Sequence, residues 1–391
     1  MFDFTVVGKG LIGSAAARYL SATDARVALI GPGEPDDWGT HEGVFASHYD
    51  EGRITRILDP DEVWATLAKR SIEQYETIER DSGMRFYHRT GGLRVDPDRA
   101  QLAQVEAVGQ GLVAEFTACS HDDLENTFSY FTFPAEMTGL WETGSAGWIS
   151  PRTLVRAQTQ ITAQQGATII DEPVTSIRVG REAVTISTTS GSAYESGRVL
   201  LATGAYTNSL LDRKLDLTPR PRTILLAELG ESELAHLHNM PTLIYRMPSN
   251  PDLPSIYMLP PIQYPDGRYY LKIGGVVLPE HPIDSPDQLG TWFRGGGSET
   301  EAARLKQVLL GFLPGLDAVS YHYKPCAYTD TAHNRPYVDV IEEGRLYVAA
   351  GGCGMAAKSS NEIGRLGASL VEHDSWIDDL DGGAFRAQYR Q

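Results

Sequence analysis

Cysteine is scarce. Three cysteines among 391 residues (Cys119, Cys326 and Cys353) are too few for a disulfide framework and fit a reducing compartment. No stretch approaches the roughly 20 uninterrupted apolar residues of a membrane span. Met1 to Val7 runs straight into a strand-like segment, without the basic, apolar and small-residue blocks of a secretory signal. These absences lead to the expectation of a cytoplasmic protein with no membrane partner. Positive charge is also short: 34 Lys and Arg stand against 51 Asp and Glu, a net charge of -17. Phosphate backbones demand concentrated Lys and Arg, so a nucleic-acid partner is excluded. The histidines His41, His48 and His333 are scattered without metal-site spacing, and no metal is expected. Internal repeats, heptads and low-complexity tracts are missing as well.

What is present is ordinary globular material, 41% hydrophobic and 22% charged, enough for one large core or two intimate subdomains. Phe4 to Val7 reads as a buried strand that ends at Gly8-Lys9-Gly10-Leu11-Ile12-Gly13. A helix follows from Ser14 to Ser21, then a strand from Arg26 to Ile30. Strand, glycine turn, helix and strand within about 30 residues make a βαβ unit. Residues 31–53 read as a long functional loop, residues 60–82 as a helix stopped by Gly83, and residues 86–95 as a hairpin. Ser150-Pro151 opens a helix over 153–165, and residues 167–194 form a meander. A strand over 198–204 ends in small residues, residues 220–280 suggest an antiparallel sheet, and residues 299–312 are helical. Residues 345–350 form a last strand, followed by a glycine-rich turn and a helix to about His373.

The glycines at 8, 10 and 13 carry the first chemistry. A pyrophosphate needs close backbone approach and the positive end of a helix, and this spacing after a strand and before a helix provides both. The ribose hydroxyls usually meet an acid at the end of the second strand. That position is Gly31, with Glu34 nearby as the candidate substitute. A nicotinamide dehydrogenase would continue in regular βα alternation. This chain breaks off after two strands and returns at Leu200-Leu201-Ala202-Thr203-Gly204 and at Val348-Ala349-Ala350-Gly351-Gly352. A Rossmann-type domain built from distant segments, with an antiparallel domain inserted, favours FAD.

Further segments add to the fingerprint: residues 49–56 (Tyr-Asp-Glu-Gly-Arg-Ile-Thr-Arg), Tyr270-Leu271-Lys272-Ile273-Gly274, and Lys324-Pro325-Cys326-Ala327-Tyr328-Thr329. With these pieces the chain resembles the D-amino-acid-oxidase superfamily, and within it the monomeric sarcosine oxidase and N-methyltryptophan oxidase group. The resemblance runs nearly end to end and is weakest over residues 100–145 and 280–300. It implies that Cys326 joins the flavin covalently as a thioether, where residue chemistry alone would equally allow a small buried hydrophobe. It implies an oxygen-activating role for Lys272, whose alternative is a lysine pointing to solvent. It places Arg53 near the flavin and Arg56 on the substrate carboxylate, with Tyr49 in place of the group's usual histidine. Tyr257 borders the substrate cavity or is a core tyrosine. The group's second carboxylate-binding lysine, counted from Gly354, falls on Ala356, so Lys358 occupies a shifted position or bonds elsewhere. A histidine frequent four residues after the oxygen-activating lysine is replaced by Val276.

The expected fold class is α/β: a discontinuous FAD-binding domain (residues 1–82, 148–215 and 320–391) with an inserted α+β substrate domain (83–147 and 216–319) on an antiparallel sheet. The cofactor set is Gly8, Gly10, Leu11, Ile12, Gly13, Glu34, Arg53, Ala202, Gly204, Cys326, Gly352, Gly354, Met355 and Lys358. Lys272 and Arg53 are the catalytic candidates, and Arg56, Tyr257, Tyr49 and Lys358 the substrate-binding ones. The expected activity is oxidation of an amine or amino acid to an imine, with O2 reduced to H2O2. The substrate would be a carboxylated secondary or primary amine. Two alternatives stay open: an FAD-dependent amine dehydrogenase using another acceptor, and a non-catalytic nucleotide-binding module. A monomer or weak homo-oligomer is expected.

Overall fold

The computed structural model describes residues 1–283 and 285–391. Its first sheet is nucleated by the N-terminal βαβ unit. Phe2–Val7 lies between Val27–Ile30 and Ala193–Leu201, parallel to both. Thr168–Ile170 extends the sheet beyond Val27–Ile30, again in parallel. The nine-residue strand Ala193–Leu201 divides its other side between two partners. Its first half takes the antiparallel strand Val184–Thr188, and its last three residues take the parallel strand Leu346–Ala350. Val27 to Ile30 and Leu346 to Ala350 are buried throughout, as parallel strands covered on both faces should be.

Helices Leu11–Ser21 and Ala356–His373 lie side by side against this sheet, with Val6, Ala16, Leu20, Leu29, Leu200, Ile363 and Leu366 in one core cluster. Their close approach depends on Gly364. A Cβ there would stand 2.5 Å from Ala15 Cβ and 2.7 Å from the Ile12 carbonyl oxygen. Gly364→Val is therefore expected to destabilise the protein by about 1–3 kcal/mol, read as a melting midpoint a few degrees lower.

The second sheet runs Ala318–Thr331, Leu217–Leu229, Tyr269–Gly275, Ser255–Gln263, Thr242–Arg246, Gly92–Asp96, Thr138–Glu142, Phe116–Cys119. It is antiparallel except where Thr242–Arg246 pairs with Gly92–Asp96. Strand Ala318–Thr331 crosses position 320, where the sequence division starts its last FAD-binding segment. A small third sheet joins Arg53–Thr55 and Tyr87–His88 to Gly147–Ile149.

The hairpin expected over 86–95 does not form. Tyr87–His88 joins the third sheet and Gly92–Asp96 the second, because Gly91, at φ +77°, turns the chain between two different partners. Helices Arg99–Gly111, His121–Thr127 and Pro286–Arg294 have no counterpart in the sequence reading. Each is capped by a side chain, from Asp98, Ser120 and Ser285. Among the described residues no helix is long and apolar enough to cross a membrane.

Candidate active site

A cavity of about 830 Å3 runs along the carboxyl ends of the parallel strands and under the second sheet. That is where open α/β sheets bind ligands, and its size suits an organic cofactor together with a small substrate. One end is made by the glycine turn. Gly8, at φ +111°, sits so close to the Ala202 carbonyl that a side chain would collide with it. Gly13 is buried beneath Gly8 and off the wall, where a side chain would strike the Gly8 carbonyl. Gly8, Gly10, Leu11 and Ile12 line the cavity, with Ala202 and Gly204 opposite.

Two helix N-termini open on the same space. Helix Leu11–Ser21 begins at Gly10 with no side-chain cap and no acid in its first turn. Helix Ala356–His373 begins at Met355 in the same way, and Gly352, Gly354 and Met355 line the wall before it. Uncapped amides and the helix dipole favour anionic or carbonyl oxygens at both places. A glycine cradle for a pyrophosphate and a second amide cluster at a distance fit a flavin dinucleotide.

Cys326 faces the cavity from strand Ala318–Thr331, opposite Arg222 in the register. Arg53 Nη2 lies 3.5 Å from its sulfur and 3.0 Å from the Ser47 carbonyl. Arg53 Nη1 pairs with Asp50. A positive charge thus stands beside the sulfur whenever it takes on negative character. Tyr257 also lines the cavity, its ring lying across Gly274 of the neighbouring strand. Burial pushes its hydroxyl pKa up to about 12. Tyr49 is on the wall too. Its hydroxyl donates to the Gly33 carbonyl at 3.1 Å, and burial raises its pKa.

Arg56 and Lys358 come together at one end of the cavity, and both line it. Arg56 Nη1 is 2.8 Å and Lys358 Nζ 3.1 Å from the same oxygen of Asp59. Asp59 is off the wall, so it acts from behind the two cations. Arg56 Nε is buried without a hydrogen-bond partner among the described residues. Lys358 stands in the first turn of helix Ala356–His373, where its ammonium meets Asp59 and, at 3.5 Å, the Trp64 carbonyl.

Three expected positions are not on the cavity wall: Gly13, beneath Gly8, and Glu34 and Lys272. Glu34 is drawn away by Arg152, whose Nε and Nη2 each lie 2.6 Å from its carboxylate. The candidate substitute for the ribose acid is thus engaged by Arg152 and stands off the cavity wall. Lys272 is fully buried behind the 50–53 loop, its Nζ 2.5 Å from Asp50 Oδ2 and 2.7 Å from the Gly52 carbonyl. Burial and the Arg53 guanidinium push its pKa well below the ordinary lysine value, with Cys326 opposing. The strand reading allowed a solvent-facing lysine, and the sheet instead turns this side chain inward.

Several wall residues were missed. Lys9, His48, Arg222 and Tyr328 all line the cavity. Arg222 Nη2 donates to the Tyr328 hydroxyl at 2.6 Å and pairs with Glu280. His48 is pushed down to about 3 by burial and by Arg152, Arg53 and Lys9, so it stands neutral over Gly10. Lys9 was visible inside the fingerprint itself. The position of Arg222 opposite Cys326 is a register fact with no local signal.

Residues 3–370 match the family described as DAO, FAD dependent oxidoreductase. The chain is similar to monomeric sarcosine oxidase of Bacillus sp. (strain NS-129), 25% identical over 403 residues that cover 99% of this chain and 98% of that protein. It is 24% identical to N-methyl-L-tryptophan oxidase of Yersinia pestis (strain Pestoides F), over 95% of each. Among solved structures, the open form of NikD, an amino acid oxidase essential for nikkomycin biosynthesis, superposes with a TM-score of 0.79. It is 22% identical and covers 100% of this chain and 98% of its own.

Proposed function

Because the chain belongs to the FAD dependent oxidoreductase family, we propose that it oxidises a carboxylated secondary or primary amine to an imine and reduces O2 to H2O2. The observation that carries this reading is the convergence of Arg56 and Lys358 at one end of a cavity whose other walls fit the dinucleotide. When bound, FAD supplies the hydride acceptor and passes the electron pair to oxygen. The protein's part is orientation and charge. Arg56 and Lys358 hold the carboxylate, in the forked geometry that a guanidinium offers. Tyr257 and Tyr328 wall the space beside it, and a fixed pose replaces a bimolecular encounter. Water then hydrolyses the released imine. A screen of carboxylated amines for peroxide release tests the reading, and no peroxide from any of them would sink it.

Cys326 is proposed to carry the cofactor as a thioether. The link would be a thioether from Sγ to the 8α-methyl carbon, the two electrons released in forming it being taken up by the bound flavin and O2 and the thiol and methyl protons by solvent. Arg53 supplies the neighbouring positive charge. In Cys326→Ser, the denatured polypeptide is expected to have the bare chain mass, and the yellow colour should stay in solution on acid precipitation. The unsubstituted chain should keep both mass and colour.

The Asp50–Lys272 contact favours a second reading, with a quinone or protein as electron acceptor. A carboxylate 2.5 Å from the ammonium offsets the charge that would assist oxygen. Amine-dependent oxygen uptake separates the two. The non-catalytic reading falls with membership in a family of oxidoreductases.

A further inference from the structure

The adenosine end of the cavity lacks an acid at the end of the second strand, and the geometry points to a replacement: Asp171, pinned by Lys9, receives the ribose hydroxyls of the dinucleotide. This rests on the flavin reading above. Position 31 is closed to any side chain. A Cβ there would stand 2.6 Å from the Lys9 backbone nitrogen and 2.9 Å from Lys9 Cβ. The second residue of the glycine fingerprint has therefore taken the space that an acid at 31 would need.

The neighbouring strand supplies the alternative. Thr168–Ile170 runs parallel to Val27–Ile30 with Ile170 opposite Ile30, and the Gly31 amide donates to the Ile170 carbonyl at 3.0 Å. Asp171 thus leaves the sheet at the same edge as Gly31, one strand over. Gly31 and Pro32 line the cavity on one side, Pro173 and Val174 on the other, and Lys9 lines it as well; Asp171 stands just off this wall, two residues before Pro173. Lys9 Nζ forms an ion pair with Asp171 Oδ1. No other partner of Asp171 is seen among the described residues, and its side chain is 66% exposed.

The other nearby carboxylates are engaged elsewhere. Glu34 is held by Arg152, and Glu172 accepts from the Ser190 hydroxyl at 2.6 Å. A carboxylate has lone pairs enough to take one ammonium and still accept from a vicinal diol. The ammonium fixes its orientation beforehand, which lowers the ordering cost of binding.

The test uses full-length Cys326→Ser protein freed of flavin, titrated calorimetrically with ADP, 2′-deoxy-ADP and 3′-deoxy-ADP. With Asp171 present, ADP is expected to bind about five- to tenfold more tightly than at least one deoxy form, as one hydrogen bond to a charged group implies. Asp171→Asn should abolish that preference while deoxy-ADP binding stays nearly unchanged. Lys9→Met should shrink the preference, because the carboxylate loses its anchor. Equal binding of all three ligands with Asp171 present, or full preference surviving in Asp171→Asn, overturns the assignment. If neither ADP nor FAD binds the Asp171 chain, the dinucleotide reading itself has failed, and that result is distinct from a loss of discrimination.

Discussion

In Lys272→Met, amine-dependent oxygen consumption is expected to fall by about 10²–10³-fold, the range seen when a preorganised charge-stabilising group is removed. Anaerobic bleaching of the yellow protein by amine should change only a few-fold. The argument rests on where the charge sits. Lys272 is the one member of the Asp50 cluster that strand Tyr269–Gly275 delivers, and no water reaches it. An ammonium in so dry a setting, even paired with Asp50, acts on developing negative charge more strongly than one in water does. The variant should fold, because Asp50 keeps the Tyr264 hydroxyl at 2.9 Å, the Glu51 amide at 2.9 Å and Arg53. The Gly52 carbonyl likewise keeps Arg53 Nη1 at 3.0 Å. Stopped-flow measurement of the two half-reactions separates them. Equal slowing of both would make Lys272 a structural residue, and no change in either would favour the non-oxygen acceptor.

The parts of the site that were legible in the sequence are those whose chemistry is local. Gly8, Gly10 and the helix after them are set by their own short stretch of sequence, even though Gly8 also packs against the distant Ala202 carbonyl. Gly352 and Gly354 likewise precede the helix whose N-terminus they expose. What was hidden depends on side chains arriving from far along the chain. Glu34 is taken by Arg152, and nothing within 100 residues of Glu34 announces that contact. Lys272 was found, but its direction was open, since a strand offers two faces and only the sheet decides which one is buried. The false hairpin at 86–95 had a genuine turn at Gly91, but its flanking strands found partners in two separate sheets. Lys358 was named, but its contact with Asp59 comes from a residue 299 positions away and has no local signal.

The cation pair at the substrate end makes a pH prediction with a definite sign. Burial lowers the Lys358 pKa to about 8, with Asp59 and Glu142 opposing that shift and Arg56 adding to it. Burial would raise Asp59, but Lys358 and Arg56 more than reverse this and hold it down at about 2. Asp59 is thus an anion across the working range and keeps the proton on Lys358. The turn that presents it is fastened by Glu142, which accepts from the Ile57 and Leu58 amides at 2.9 Å. Carboxylate binding by the protonated lysine should be strong below about pH 8 and weaken as pH rises through that value. In Asp59→Asn the opposing anion is gone, so Lys358 should lose its proton at lower pH and the limb should move toward acid. Acetate as a competitive inhibitor reads this cleanly, since its own charge is constant from about pH 6 upward. Its inhibition constant at neutral pH is expected to rise about tenfold for each unit that the lysine falls below the working pH. Glu142 stays in place in this variant, so the turn should persist and kcat should change less than acetate binding does. An unmoved limb in Asp59→Asn would show that Lys358 does not depend on Asp59 for its charge.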